Sequence, residues 1–225
     1  SGLSHNIFTK FSVSNNGVIF NNSTSATGTV LGGTVDANPF LGSSAKTILA
    51  EVNGGSPTGI NGYVEVAGQK ADVIIANPFG ITVNGAAFLN AGNVTLTTGK
   101  VLLSSSGGVQ GYLVTDGQVG IGEKGLNASN LDYFDVISRT AQVNGPLYAK
   151  NARFTLGQNS VDAAVNATAT PNTATATPAV ALDVGAAGSV YGGTVYLIST
   201  EKGVGVNNAG VIQGEQNIRI SAEDR

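Results

Sequence analysis

The sequence predicts an all-β chain wound as a parallel β-helix, a solenoid, and three observations lead there. Strand-length apolar alternation recurs with almost no helical periodicity, a motif returns every 20 to 23 residues, and the corner-forming residues Asn, Gly and Pro fall at matching phases of it.

The strand-like stretches "GYVEVAG", "ADVIIAN", "NVTLTTG", "ARFTLG", "TVYLIST" and "NIRISA" are each bounded by Gly or Asn. Three longer segments can be superimposed: "ITVNGAAFLNAGNVTL" (81–96), "AQVNGPLYAKNARFTL" (141–156) and "VGVNNAGVIQGEQNIRI" (204–220). Each carries a Val, then Asn-Gly or Asn-Asn, an apolar residue about five positions on, and later an apolar pair: Val94/Leu96, Phe154/Leu156 and Ile218/Ile220. Upstream of each Val stands another pair, Val73/Ile75, Phe134/Val136 and Val195/Leu197. A repeat of this length with no helix in it suits a β-solenoid, in which each cycle is one coil and the apolar positions point inward. A β-sandwich also repeats short strands, but it does not predict an Asn at the same phase of a doubled period.

The corners are the best specified part of the chain. In Asn77-Pro78-Phe79-Gly80, the Asn suits the first position of a type I turn, the Pro presets the second and the Gly fits the fourth. Pro78 also keeps Asn77 extended, so the preceding strand runs straight into the bend. A type I turn does not match the twist of a tight hairpin, so the chain is expected to turn a corner there. A single domain over 1–225 is expected, with residues 1–50 as an N-terminal cap and 51–225 as coils. The Ala/Thr-rich stretch at about 163–183, interrupted by Pro171 and Pro178, reads as a mobile loop or added hairpin extruded between coils.

Composition removes several functions. With 41% apolar residues and a formal charge of −3 the chain should fold, and its eleven scattered Lys and Arg do not make a nucleic-acid surface. There is no Cys, hence no disulfide, thiolate metal site or thiol nucleophile, and no apolar run long enough to span a bilayer. The start "SGLSHNIFTKF" reads as a mature or trimmed end, and "NIRISAEDR" reads as a chain cut just after a rung.

Chemistry-bearing candidates are few. "GIGEKG" (120–125) matches a phosphate-loop pattern, but no helix follows it, so its glycines read as corners. His5 stands alone, which leaves a local structural role. Asp132 with Asp135, and Glu65 with Asp72, are the only carboxylate groupings worth testing for polysaccharide cleavage, and a solvated face explains them as well. The Asn-x-Ser/Thr triplets are those expected by chance in an Asn- and Thr-rich chain. No enzyme activity, metal or cofactor is expected.

Taken together, "GLSHNIFTKFSVSNNGVIFNNS", "NPFL" (38–41), "GYVEVAGQKADVIIANPFGITVNGAAFLN" and "VYLISTEKGVGVNNAGVI" resemble the N-terminal secretion domain of two-partner-secretion exoproteins. That family includes filamentous haemagglutinin adhesins and the contact-dependent growth inhibition proteins of Gram-negative bacteria. The resemblance implies a right-handed β-helix that folds at the cell surface after passage through the periplasm and a dedicated outer-membrane transporter, whose POTRA domains recognise it. It implies two partners, that transporter and the remainder of the same long chain; a monomer without stable membrane insertion is expected. The family's landmark motifs are usually NPNL and NPNGI. Here they read Asn38-Pro39-Phe40-Leu41 and Asn77-Pro78-Phe79-Gly80-Ile81, with Phe in place of the second Asn in both. The turn argument survives that exchange, whereas recognition through the lost amide does not. An adhesin module or a carbohydrate-active β-helix enzyme are the rival readings.

Overall fold

In the computed structural model, which describes residues 2–172 and 174–222, the chain coils as a three-faced parallel β-helix with no helical segment. The first coil contains β1 (Leu3–Phe8) and β2 (Val18–Asn22), with Val13 bridging to the coil above, and then leaves the stack as a hairpin of β3 (Thr27–Thr29) and β4 (Gly33–Val35). The second coil is β5 (Thr47–Val52), β6 (Thr58–Ile60) and β7 (Val64–Gly68), and the third is β8 (Ala71–Ala76), β9 (Ile81–Val83) and β10 (Ala86–Leu89). The fourth opens with β11 (Ala91–Thr97), departs into β12 (Lys100–Leu103) and β13 (Val109–Val114), and returns through β14 (Gln118–Ile121) and β15 (Leu126–Ala128). Next come β16 (Tyr133–Ser138), β17 (Thr140–Val143) and the long β18 (Pro146–Leu156), which bends from one face onto the next. A second departure holds β19 (Asn159–Asp162) and β20 (Ala167–Ala169). The chain then completes the stack with β21 (Val180–Val184), the bent β22 (Ser189–Ser199), β23 (Gly205–Asn208) and the bent β24 (Val211–Ala222).

Parallel pairing stacks like on like. One face runs β1, β5, β8, β11, β16 and then the second halves of β18, β22 and β24. The second runs β6, β9, β14, β17, β21, β23, and the third β2, β7, β10, β15 and the first halves of the three long strands. Inward columns such as Val73, Val94, Phe134, Ala152 and Val195 fill the centre, where Phe88, Phe134 and Phe154 are the largest buried side chains. Truncating one of these to Ala should cost about 3–5 kcal/mol, because a solenoid interior this narrow has little room to collapse.

The apolar pairs seen in the sequence do occupy the inward columns, yet the lap length varies more than the repeat suggested. Val73 stacks under Val94 and Val195 under Ile218, 21 and 23 residues apart, but Phe134 stacks under Ala152, only 18 residues on, so Phe154 sits over Val136. Likewise Val206 pairs with Leu182, in the column of Ala141 and not of Val143. Both differences are slips of two residues, which keep the inward parity and therefore leave the hydrophobic pattern unchanged. The apolar residue about five positions after Val143 is Leu147, which is buried, while its neighbour Tyr148 faces outward and stacks on Tyr191 with ring centroids 5.3 Å apart.

The stack departs from its coils at 23–46, 98–117 and 157–179. The latter two combine into an antiparallel sheet, β12-β13-β19-β20, which lies over the outer side of the first face as a flap. Leu49, Ile74 and Ile137 on that outer side meet Val101, Tyr112, Val114 and Val161 of the flap in a second small core. The Ala/Thr-rich stretch expected as one insertion at 163–183 therefore divides: its start belongs to the flap, Val180–Val184 is a rung of the helix, and Thr173 lies outside the described residues. Arg139 ties the part between, its Nη2 donating to Ala176 O at 2.8 Å and to Glu201 Oε1 at 2.8 Å. Residues 1–50, expected as a cap, supply a first coil and the start of the second. Phe8, Phe11 and Phe20 pack together at its edge, with centroids 5.1 and 5.9 Å apart. At the other edge Ile218 and Ile220 are 42% and 57% exposed, although Val195 and Leu197 beneath them are buried. Of the terminal segment "NIRISAEDR", residues 223–225 lie outside the described residues.

Candidate functional site: two Asn-Pro-Phe corners

Both Asn-Pro-Phe segments fold into the same hydrogen-bonded corner. In the second, the N–H of Gly80 donates to Asn77 O at 3.1 Å and the N–H of Phe79 to Asn77 Oδ1 at 2.9 Å. In the first, Leu41 N–H donates to Asn38 O at 3.2 Å and Phe40 N–H to Asn38 Oδ1 at 3.0 Å. The Asn side chain thus imitates a backbone turn, the Pro holds the second position, and the remaining amide hydrogens are left to bind elsewhere.

Those hydrogens reach different places. Asn77 Nδ2 donates to Ser56 O at 3.0 Å and to Thr58 Oγ1 at 2.9 Å in the coil before, while its backbone N–H donates to Thr97 O at 2.9 Å in the coil after. Asn77 is fully buried and joins three successive coils where the chain passes from β8 into β9. Gly80 completes this corner with a φ of 106°, a region that L side chains resist. Asn38, half-buried, donates through Nδ2 to Asn21 O at 2.9 Å and anchors the excursion after β4 to β2.

The nine motif residues therefore split by position. Asn77 and Ile81 are buried and Asn38, Leu41 and Gly80 are half-buried, whereas Pro39, Phe40, Pro78 and Phe79 face solvent. Phe40 is 93% exposed and Phe79 51%, values that no packing role explains.

The carboxylates weighed for polysaccharide cleavage are each engaged by other partners. Asp132 sits 3.9 Å from Lys150 at the surface, but Asp135 is buried with both oxygens bound by the Nε and Nη2 of Arg153, at 2.5 and 2.7 Å. Burial pushes the Asp135 carboxyl above its usual range, opposed by the Arg153 bonds, and it likewise pushes the Tyr112 hydroxyl up to about 12. Glu65 is a clasp: its oxygens accept the N–H groups of Val30 and Leu31 at 2.7 and 2.8 Å, fixing the tip of the β3–β4 hairpin. Asp72 binds the backbone of Asn93 on another face. His5 pairs with Glu51 at 2.6 Å, and "GIGEKG" forms the end of β14 and a corner leading into β15. Sequence reasoning missed Asn22, a buried amide that exchanges hydrogen bonds with Ala45 at 2.7 and 2.9 Å and also binds Gln69 O.

Against this geometry, the profile of the TPS secretion domain matches residues 1–224. The chain belongs to the TPS secretion domain family. This TPS domain is 46% identical over 94% of its length to "Toxin CdiA" of Yersinia pestis, and 44% identical over 99% to "16S rRNA endonuclease CdiA" of Enterobacter cloacae subsp. cloacae. It spans only 6% and 7% of the lengths of those relatives. The crystal structure of a filamentous hemagglutinin secretion domain superimposes on the whole TPS domain and on 90% of that chain, with a TM-score of 0.86 and 34% identity. The fold class is accordingly the right-handed parallel β-helix.

Proposed function

We propose that this TPS domain is the export address of a much longer exoprotein of the CdiA and filamentous haemagglutinin type, recognised in the periplasm by the POTRA domains of its outer-membrane transporter. The observation that carries the reading is the pair of matched corners, each using its Asn internally and presenting Pro-Phe to solvent. Each corner closes on hydrogen bonds within four residues, so its apolar tip can be preset before the coils stack at the cell surface, and a preset turn costs less entropy on binding. The small share of the relatives' length that this domain represents supports a long remainder. The exposed Ile218 and Ile220 column is where the next coil of that remainder would stack, so the domain seeds a filament that grows one coil at a time at the cell surface.

Surface display of an exported reporter tests this reading. With Asn38-Pro39-Phe40 and Asn77-Pro78-Phe79 both scrambled, display should fall to background. Normal display from such a chain would remove the corners from export.

A further inference from the structure

We propose that the crevice between the outer side of the β-helix and the flap binds one pyranose-sized polyol, a single sugar residue. Its volume of about 200 Å³ is several times the roughly 30 Å³ share of one water and below the range of drug-sized pockets, which suits one six-membered ring. The floor is built from successive coils by Asp72, Asn93 and Thr95, the Asp135–Arg153 pair closes one side, and Tyr112, Val109 and Val165 of the flap form the roof.

The floor is prearranged. Asp72 Oδ1 accepts from the backbone N–H of Asn93 at 2.7 Å and from its Nδ2 at 3.1 Å, and a side chain at Gly92 would strike the same oxygen at 2.6 Å. Among the described residues Asp72 Oδ2 accepts no hydrogen bond, and Arg153 Nη1 donates none. A carboxylate oxygen and a guanidinium N–H thus share one small space as an acceptor and a donor for neighbouring hydroxyls, beside Asn93, whose side chain is held by Tyr133 N–H and Asp72, and Thr95, which bonds Tyr112. The roof offers Val109 and Val165 to the C–H face of a ring. Val165 holds this place at a φ of 64°, unusual for a β-branched residue, because Asp162 clamps the turn through the N–H groups of Ala164 and Asn166 at 2.9 and 2.8 Å.

The same chemistry rejects other ligands. Two carboxylates disfavour an anion, Arg153 disfavours a cation, and a wholly apolar guest would take Asp72 Oδ2 and Arg153 Nη1 out of water without giving either a partner. A free monosaccharide and the end residue of a glycan present the same ring, and they differ at the anomeric oxygen.

The test is an amide-shift NMR titration of the 225-residue chain with D-glucose, D-galactose, D-mannose and N-acetyl-D-glucosamine, and with both methyl glycosides of each. At least one sugar should shift the amides of Asn93, Tyr112 and Val165 saturably. Binding should weaken at least about tenfold in Asp72→Asn, which removes the free acceptor, and in Val109→Phe, which fills the space from the roof while leaving Asp72 untouched. Asp132→Asn, outside the crevice, should bind as the parent does. If a methyl glycoside binds like its free sugar, the ligand is a glycan end; if neither anomer binds, it is the free monosaccharide. Absence of saturable shifts with every sugar, or shifts that persist equally in both crevice variants, overturns the proposal.

Discussion

The two Asn-Pro-Phe corners share every local hydrogen bond and differ in what lies behind them. Behind Asn77 stand three coils of the helix, so its amide is a buried fastener. Behind Asn38 stands only the edge of the first coil, so its amide anchors a surface excursion. The tips, by contrast, are alike: Pro and Phe in solvent. A motif repeated in sequence thus need not repeat its structural duty, and the part that is the same in both corners, the exposed Pro-Phe, is the part available to a partner.

The largest expected effect is on stability. Asn77→Ala removes three side-chain hydrogen bonds from a fully buried site and leaves Thr58 and Ser56 without their partner, a loss of about 3 kcal/mol in chemical denaturation. Asn38→Ala, half-exposed, should lose about 1 kcal/mol. Equal losses would erase the distinction between fastener and anchor. Gly80→Ala falls between the two, at about 1–2 kcal/mol, because a Cβ is strained at that φ although its nearest neighbour, Gln118 O at 3.4 Å, is an ordinary contact. The smaller effects belong to the tips: Phe40→Ser and Phe79→Ser should each change stability by less than about 0.5 kcal/mol. A larger loss at either would mean that the ring packs in solution.

Acid gives the finest separation. The Asp162 carboxyl in the flap is held below its ordinary value of 3.8 by bonds from Asn166 and the Ala164 N–H. Its contribution is present above that value and is lost as pH falls through the lower folded value. Under acid, the protection of the Ala164 and Asn166 amides, taken relative to the intrinsic exchange rate at each pH, should fall, while the Phe40 and Phe79 amides, bound to uncharged Asn oxygens, keep theirs.

The sequence carried the winding because an inward residue must be apolar on every lap, and it carried the corners because Asn, Pro and Gly constrain the backbone locally. It did not carry the register, since a slip of two residues, as between Phe134 and Ala152, preserves which side faces in. The flap was hidden for a related reason. Its trace is the consecutive apolar pairs Ile74-Ile75 and Val136-Ile137, which say that the first face is buried on both sides without saying by what. Asn77's duty was half visible: the turn could be read from its neighbours, but the bonds to Ser56 and Thr58 depend on which coil lies beneath. Glu65 and Asn22 gave no local signal, because their partners lie 34 and 35 or 23 and 47 residues away.

In the function proposed above, the exposed Pro-Phe tips, and not the buried amides, meet the transporter. Capture of the folded chain by the transporter's isolated POTRA domains tests it most directly, comparing the parent with a Phe40→Ser/Phe79→Ser double variant whose unfolding midpoint matches the parent's. Capture should drop at least about tenfold while the fold is unchanged. Undiminished capture of the double variant would contradict it.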